Sequence, residues 1–191
     1  MAALGDSITA GSPLWDPDPG TRSQIAEPDE RSQFQYWAAG ELERVEFRNC
    51  GVFGERTDEI AERLGQCADG ADALIVQGGI NDIAQNRPVA DTAEDLRSMV
   101  RAGLDAGLDV YLVNVLPWNN GFPGARKPIL ELNGLIDRIG ADEEVPMLDF
   151  YSELEDPQSP ALIGPQLTDD GDHPSIEGYR RLGGVVAQGL G

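Results

Sequence analysis

The sequence predicts an α/β sandwich. Strand-length apolar runs alternate with helical patterns, two of the runs are almost continuously apolar, and chemistry-bearing residues gather where the runs end. Ala2-Ala3-Leu4 is a short first strand, and Val45-Glu46-Phe47-Arg48-Asn49 is the second. Thr57-Asp58-Glu59-Ile60 then opens a helix with a capping hydroxyl and an acidic first turn, carrying Ile60, Ala61 and Leu64. Ala73–Gln77 and Asp109–Val115 follow as strands; their unbroken hydrophobicity suits strands covered on both faces, as in a parallel sheet. Between them, Thr92 to Asp95 has the form of a capping box and predicts a helix with Leu96, Met99, Val100, Gly103 and Leu104 on one side. Ile129, Leu132, Leu135, Ile136 and Ile139 repeat that spacing before a last strand at Val145–Phe150. Ser175 caps a final helix through Tyr179, Leu182, Val185 and Val186. The order implies right-handed crossovers, and residues 12 to 32 and 155 to 172 read as long loops that begin at C-terminal strand ends, where such sheets bind ligands.

At 191 residues the chain is sized for one domain, 1–191. It has no apolar run of membrane-spanning length, and only four residues precede Gly5-Asp6-Ser7. The expectation is a soluble, cytoplasmic protein with no membrane insertion, or an exported one where the natural chain starts before Met1. The net charge of -20 repels polyanions and excludes nucleic acid as a partner. All 14 basic residues except Lys127 are Arg, a pattern that suits solvation in high salt, the competing reading being an ordinary acidic protein from an Arg-preferring genome. Self-repulsion among the carboxylates destabilises the compact state until salt shortens the Debye length, to about 3 Å at 1 M. The thermal midpoint is therefore expected to climb with KCl. A gain continuing into the molar range supports a high-salt habitat, and a flat or falling midpoint refutes it. Cys50 and Cys67 have neither metal spacing nor a disulfide framework, so buried free thiols are expected ahead of a Cys50–Cys67 disulfide.

The lone histidine, His173, lies in Asp170-Gly171-Asp172-His173-Pro174, a tight turn that can set carboxylate and imidazole on one side. Ser7, in Gly5-Asp6-Ser7-Ile8-Thr9-Ala10-Gly11, ends the first strand where the backbone turns sharply. Asn49-Cys50-Gly51-Val52-Phe53-Gly54 follows the second strand and Gly78-Gly79-Ile80-Asn81-Asp82 the third. A glycine N–H and an Asn amide are suitable donors for an oxyanion. Each segment alone is more often a turn or a cap. Ser, Gly, Asn and His arriving in that order, each at a strand end or in the last loop, point to acyl transfer.

On these residues the chain resembles the GDSL/SGNH hydrolase family over nearly its whole length. Gly5-Asp6-Ser7, the Gly54 segment, Gly79-Ile80-Asn81-Asp82 and Asp170-Gly171-Asp172-His173 correspond to its sequence blocks, with Ile8 in place of the Leu of the family name. The resemblance implies a flavodoxin-like three-layer α/β/α fold with a five-stranded parallel sheet. It also implies a Ser7–His173–Asp170 triad and an oxyanion hole of the Ser7 and Gly54 amides with the Asn81 side chain. It implies no cofactor. The expected partner is a small-molecule ester. Trp15 and Trp118-Asn119-Asn120, in loops near the site, favour short-chain or acetylated-carbohydrate esters over lysophospholipids or acyl thioesters. Two competing expectations are a divalent-metal module built from Asp169, Asp170, Asp172 and His173, and a binding domain of the same fold without catalysis.

Overall fold

The computed structural model describes all residues, 1–191. Strands β1 (Ala2–Gly5), β2 (Arg48–Gly51), β3 (Ala73–Val76), β4 (Asp109–Val113) and β5 (Met147–Leu148) form one sheet, while β6 (Glu155–Asp156) and β7 (Ser159–Ile163) form a separate hairpin. The helices are α1 (Ser7–Ala10), α2 (Pro19–Arg22), α3 (Phe34–Glu41), α4 (Thr57–Glu62), α5 (Leu64–Ala68), α6 (Ile80–Ala84), α7 (Val89–Asp105), α8 (Arg126–Asp142), α9 (Phe150–Leu154) and α10 (Ile176–Leu190). None is long and apolar enough to cross a membrane.

The sheet is parallel throughout, in the order β2-β1-β3-β4-β5. Side chains alternate across it, so each strand feeds two cores. Ala2, Leu4, Leu74, Val76, Val110 and Leu112 meet Ile60, Leu96, Met99, Leu132 and Ile136 of α4, α7 and α8 on one face. Ala3, Ile75 and Val113 meet Phe34, Phe150, Tyr179, Leu182 and Val186 of α3, α9 and α10 on the other. This double burial is why the strands read as continuous apolar runs, and it confirms the three-layer α/β/α architecture. Because β1 pairs with β2 on one side and β3 on the other, the strand order reverses at β1. In doubly wound sheets a ligand crevice opens at that point. The chain leaves β1 there as Asp6-Ser7. Gly51 permits the arrangement, since a Cβ on it would collide with the Ala10 amide and α1 could not lie across the end of β2.

Several local expectations need correction. The second strand is Arg48–Gly51, shifted toward the C-terminus from Val45–Asn49, because pairing with Ala2–Gly5 of β1 sets its register. Helix α7 starts at Val89 after Pro88, so Thr92 lies inside it and bonds back to the Pro88 carbonyl. Arg56, not Thr57, is the cap residue of α4, with the Glu59 carboxylate accepting its amide. The 155–172 segment holds the β6–β7 hairpin, and the 12–32 segment holds α2. Cys50 and Cys67 are not free thiols: they form a disulfide with a Cα–Cα distance of 6.0 Å. The helical turn of α5 carries Cys67 under the edge strand β2, a proximity that sequence spacing does not reveal.

That bond closes a loop of 17 residues, which by chain entropy contributes about 3 kcal/mol. Replacing both cysteines by serine is expected to lower the thermal midpoint by roughly 10 °C. Melts of the oxidised protein, the reduced protein and the double variant check it, and three equal midpoints would show that the bond constrains nothing.

Candidate active site

Ser7 is the first residue of α1, so its amide has no partner inside that helix. Asp6 caps the turn, with Oδ1 accepting from the Ile8 amide at 2.9 Å. Gln77, at the end of β3, accepts from both the Asp6 amide (3.2 Å) and the Thr9 hydroxyl (2.8 Å) through one oxygen, pinning the turn to the neighbouring strand. The other Asp6 oxygen is fully buried without a partner. Burial pushes this carboxyl up to about 6, against the Ile8 and Gln77 hydrogen bonds that lower it.

His173 arrives from the far end of the chain. Its Nε2 lies 3.2 Å from Ser7 Oγ and its Nδ1 lies 2.8 Å from Asp170 Oδ2. Asp170 Oδ1 accepts from the His173 amide at 2.7 Å and the Asp172 amide at 2.8 Å. Burial raises the Asp170 carboxyl, yet these amides and the imidazole outweigh it and hold it below the usual carboxylate value. Thr168 closes the turn, donating to the His173 carbonyl and accepting from the Gly171 amide.

The turn is clamped from outside by the segment after β4. Trp118 Nε1 donates to Asp172 at 2.6 Å, Asn120 Nδ2 donates to Asp172 and to the Asp170 carbonyl, both at 2.9 Å, and the Asn119 amide donates to the Gly171 carbonyl. Asn119 in turn brackets the Ile163 backbone, donating to its carbonyl and accepting from its amide. Trp15, the other loop tryptophan, lies beneath the Arg22 guanidinium at 4.5 Å. The expected sugar platform is therefore corrected in part, since the Trp118 indole N–H and the Asn119 and Asn120 amides are spent inside the protein. The expected metal cluster is also corrected. Asp170 is directed at His173 and Asp172 at Trp118 and Asn120, so Asp169, Asp170, Asp172 and His173 do not converge on a common point.

Gly54, at φ +81°, turns the chain after β2, and its amide has no partner within the protein. Asn81 stands one residue into α6, donating to the Glu55 carbonyl at 2.9 Å through Nδ2, whose second hydrogen has no protein partner. Sequence reasoning missed the frame behind these two residues. Arg63 reaches the Cys50 carbonyl (2.7 Å) and the Gly5 carbonyl (3.1 Å) while ion-paired to Glu55, tying the ends of β1 and β2 to the Gly54 loop. The buried Asp82 accepts from the Thr57 amide and hydroxyl and from Arg87, which also reaches Asp95. Burial disfavours the Arg87 charge, but the two carboxylates outweigh it and raise its pKa. Asp82 was legible as part of the Asn81 motif. Arg63, Arg87 and Gln77 carry no local signal.

A cavity of 860 Å³ lined by Met1, Val45, Phe47 and Ala73 sits at the opposite ends of the strands and contributes nothing to this cluster. Ser7, His173 and Asp170 thus lie in one row of side-chain contacts at the C-terminal ends of the strands. A family model described as the GDSL-like Lipase/Acylhydrolase family matches residues 3–181. The chain belongs to that family. It is a carboxylic ester hydrolase by that membership. No curated protein matches it in sequence. Among solved structures it is similar to a lipase/acylhydrolase from Enterococcus faecalis, at 26% identity and TM-score 0.76 over 98% of this chain and 93% of that one. A putative lipolytic protein of the G-D-S-L family from Desulfitobacterium hafniense superposes at TM-score 0.80 with 21% identity, covering 98% and 97%. An acetyl-xylooligosaccharide esterase from Geobacillus does so at TM-score 0.76 with 18% identity, covering 99% and 92%.

Proposed function

We propose that Ser7 is the nucleophile of an acyl-enzyme mechanism on short-chain carboxylic esters. In this reading His173 is the base and then the acid, Asp170 is its orienting partner, and the Ser7 and Gly54 amides with Asn81 stabilise the oxyanion. The observation that carries the reading is the unbroken path from Asp170 through both ring nitrogens of His173 to Ser7 Oγ. The imidazole takes the Ser7 proton as Oγ attacks the ester carbonyl, and Asp170 stabilises the charged ring. The carbonyl oxygen gains charge against the unpaired Gly54 amide and the open hydrogen of Asn81. Collapse releases the alcohol with that proton, and water repeats the cycle on the acyl-enzyme. The likeness to an acetyl-xylooligosaccharide esterase favours a small acyl group. The Cys50–Cys67 disulfide favours an oxidising compartment over the cytoplasm.

Labelling with a fluorophosphonate tests the nucleophile, and Ser7 is expected to carry the adduct. A p-nitrophenyl ester series from acetyl to decanoyl tests the acyl preference. Rates that rise with chain length would transfer the assignment to long-chain substrates such as lysophospholipids or acyl thioesters. Asn81→Ala is expected to lower kcat by about 10²–10³, or roughly 3 kcal/mol, with KM nearly unchanged, as for a donor that engages the oxyanion more than the carbonyl. An effect confined to KM would make Asn81 an ordinary binding residue.

A further inference from the structure

We infer that Phe53, with Val52, forms the subsite for the alcohol side of the ester, and that this subsite takes neutral apolar or aromatic alcohols. The inference rests on the Ser7–His173 reading above.

Phe53 is 63% exposed and Val52 39%, although both lie in the tight segment between β2 and Gly54 and belong to neither core. Phe53 is the most exposed large apolar side chain in the molecule. A phenyl ring left mostly in water forgoes much of the gain of burial, and neither apolar core holds it. Its one ring neighbour is His173, with centroids 6.0 Å apart and planes tilted by 33°.

The chemistry at Ser7 decides which part of the substrate meets that ring. When Ser7 Oγ bonds to the carbonyl carbon and the carbonyl oxygen turns to Gly54 and Asn81, two substituents remain, the acyl carbon and the leaving oxygen. His173 Nε2 returns its proton to the leaving oxygen as the carbon–oxygen bond breaks, so that oxygen must lie beside the imidazole. The group attached to it then extends along the flank of His173, where Phe53 stands. The acyl carbon points away from this flank. An aryl or alkyl alcohol covers the exposed ring, and an aromatic one adds a favourable ring contact. The carboxylates of Asp170 and Asp172, on the turn that carries His173, oppose an anionic alcohol.

The test holds the acyl group fixed and varies the alcohol. Phenyl acetate and trifluoroethyl acetate give the same acetyl-enzyme, so only acylation differs between them. In Phe53→Ala, the preference in kcat/KM for phenyl over trifluoroethyl acetate is expected to fall about tenfold. The rate of acetyl-enzyme hydrolysis should stay as in the wild type, and Phe53→Leu should retain part of the preference. An equal loss on both esters would overturn the inference. So would a loss that grows with acyl length at fixed alcohol, which moves Phe53 to the acyl side. Failure of the underlying reading looks different: a wild type that hydrolyses neither ester, or a fluorophosphonate adduct on a residue other than Ser7.

Discussion

Ser7→Ala is expected to leave a folded protein whose kcat on short-chain esters has dropped by about 10⁵–10⁶. The size of the effect follows from non-additivity. Without the hydroxyl, His173 and Asp170 have no proton to move, and the residual rate comes from oxyanion donors and binding alone. Stability should barely change. The only side-chain bond of Ser7 is the 3.2 Å contact to His173, and the turn that carries it is held by Asp6, Gln77 and the helical bonds of α1. Purified Ser7→Ala protein with wild-type rates would end the nucleophile assignment. A large loss accompanied by a collapsed melting transition would instead mean that the side chain supports the fold.

Asp170→Asn is expected to cost about 10⁴ in kcat near neutral pH while keeping the loop in place. An Asn oxygen at Oδ1 can still accept from the His173 and Asp172 amides. An Asn nitrogen at Oδ2 donates, so it forces the His173 Nδ1 to be an acceptor and moves the ring proton to Nε2. The nitrogen facing Ser7 then cannot take its proton. The variant also has a signature in acid. The folded state holds the Asp170 carboxyl below its ordinary value, so the unfolded chain binds that proton more readily. Its contribution to stability is present above the unfolded value and is lost as pH falls below about 4 through the lower folded value. Asp170→Asn should lack this part of the acid loss. Wild-type turnover by Asp170→Asn would remove Asp170 from the proton path, and an unchanged acid profile would show that its hydrogen bonds carry no linkage.

The sheet was legible because strands buried on both faces cannot hide their composition. Ala73–Val76 and Asp109–Val113 were found within two residues of their ends by apolar continuity alone. Edge strand β2 was misplaced because Arg48–Gly51 has one partner and only Gly51 is buried, so its own composition is weak and pairing with β1 chooses its limits. Helix faces were legible from spacing in α7, α8 and α10. The start of α7 was not, since Pro88 sets it and the Thr92 pattern imitates a cap from within.

By itself the sequence determined the α/β class, the strong acidity, and the succession of Ser7, Gly54, Asn81 and the Asp170–His173 turn at strand ends and in the last loop. Those features are local, written in residue type, spacing and turn chemistry. Only the tertiary structure decided which of these groups meet. Ser7 and His173 are 166 positions apart and touch because the strand order reverses at β1 and α10 packs back across the sheet. The same packing pairs Cys50 with Cys67, spends Trp118 and Asn120 on the His173 turn, and leaves Phe53 exposed beside the imidazole. Contacts between distant segments depend on how whole layers settle against one another, and spacing along the chain does not encode them.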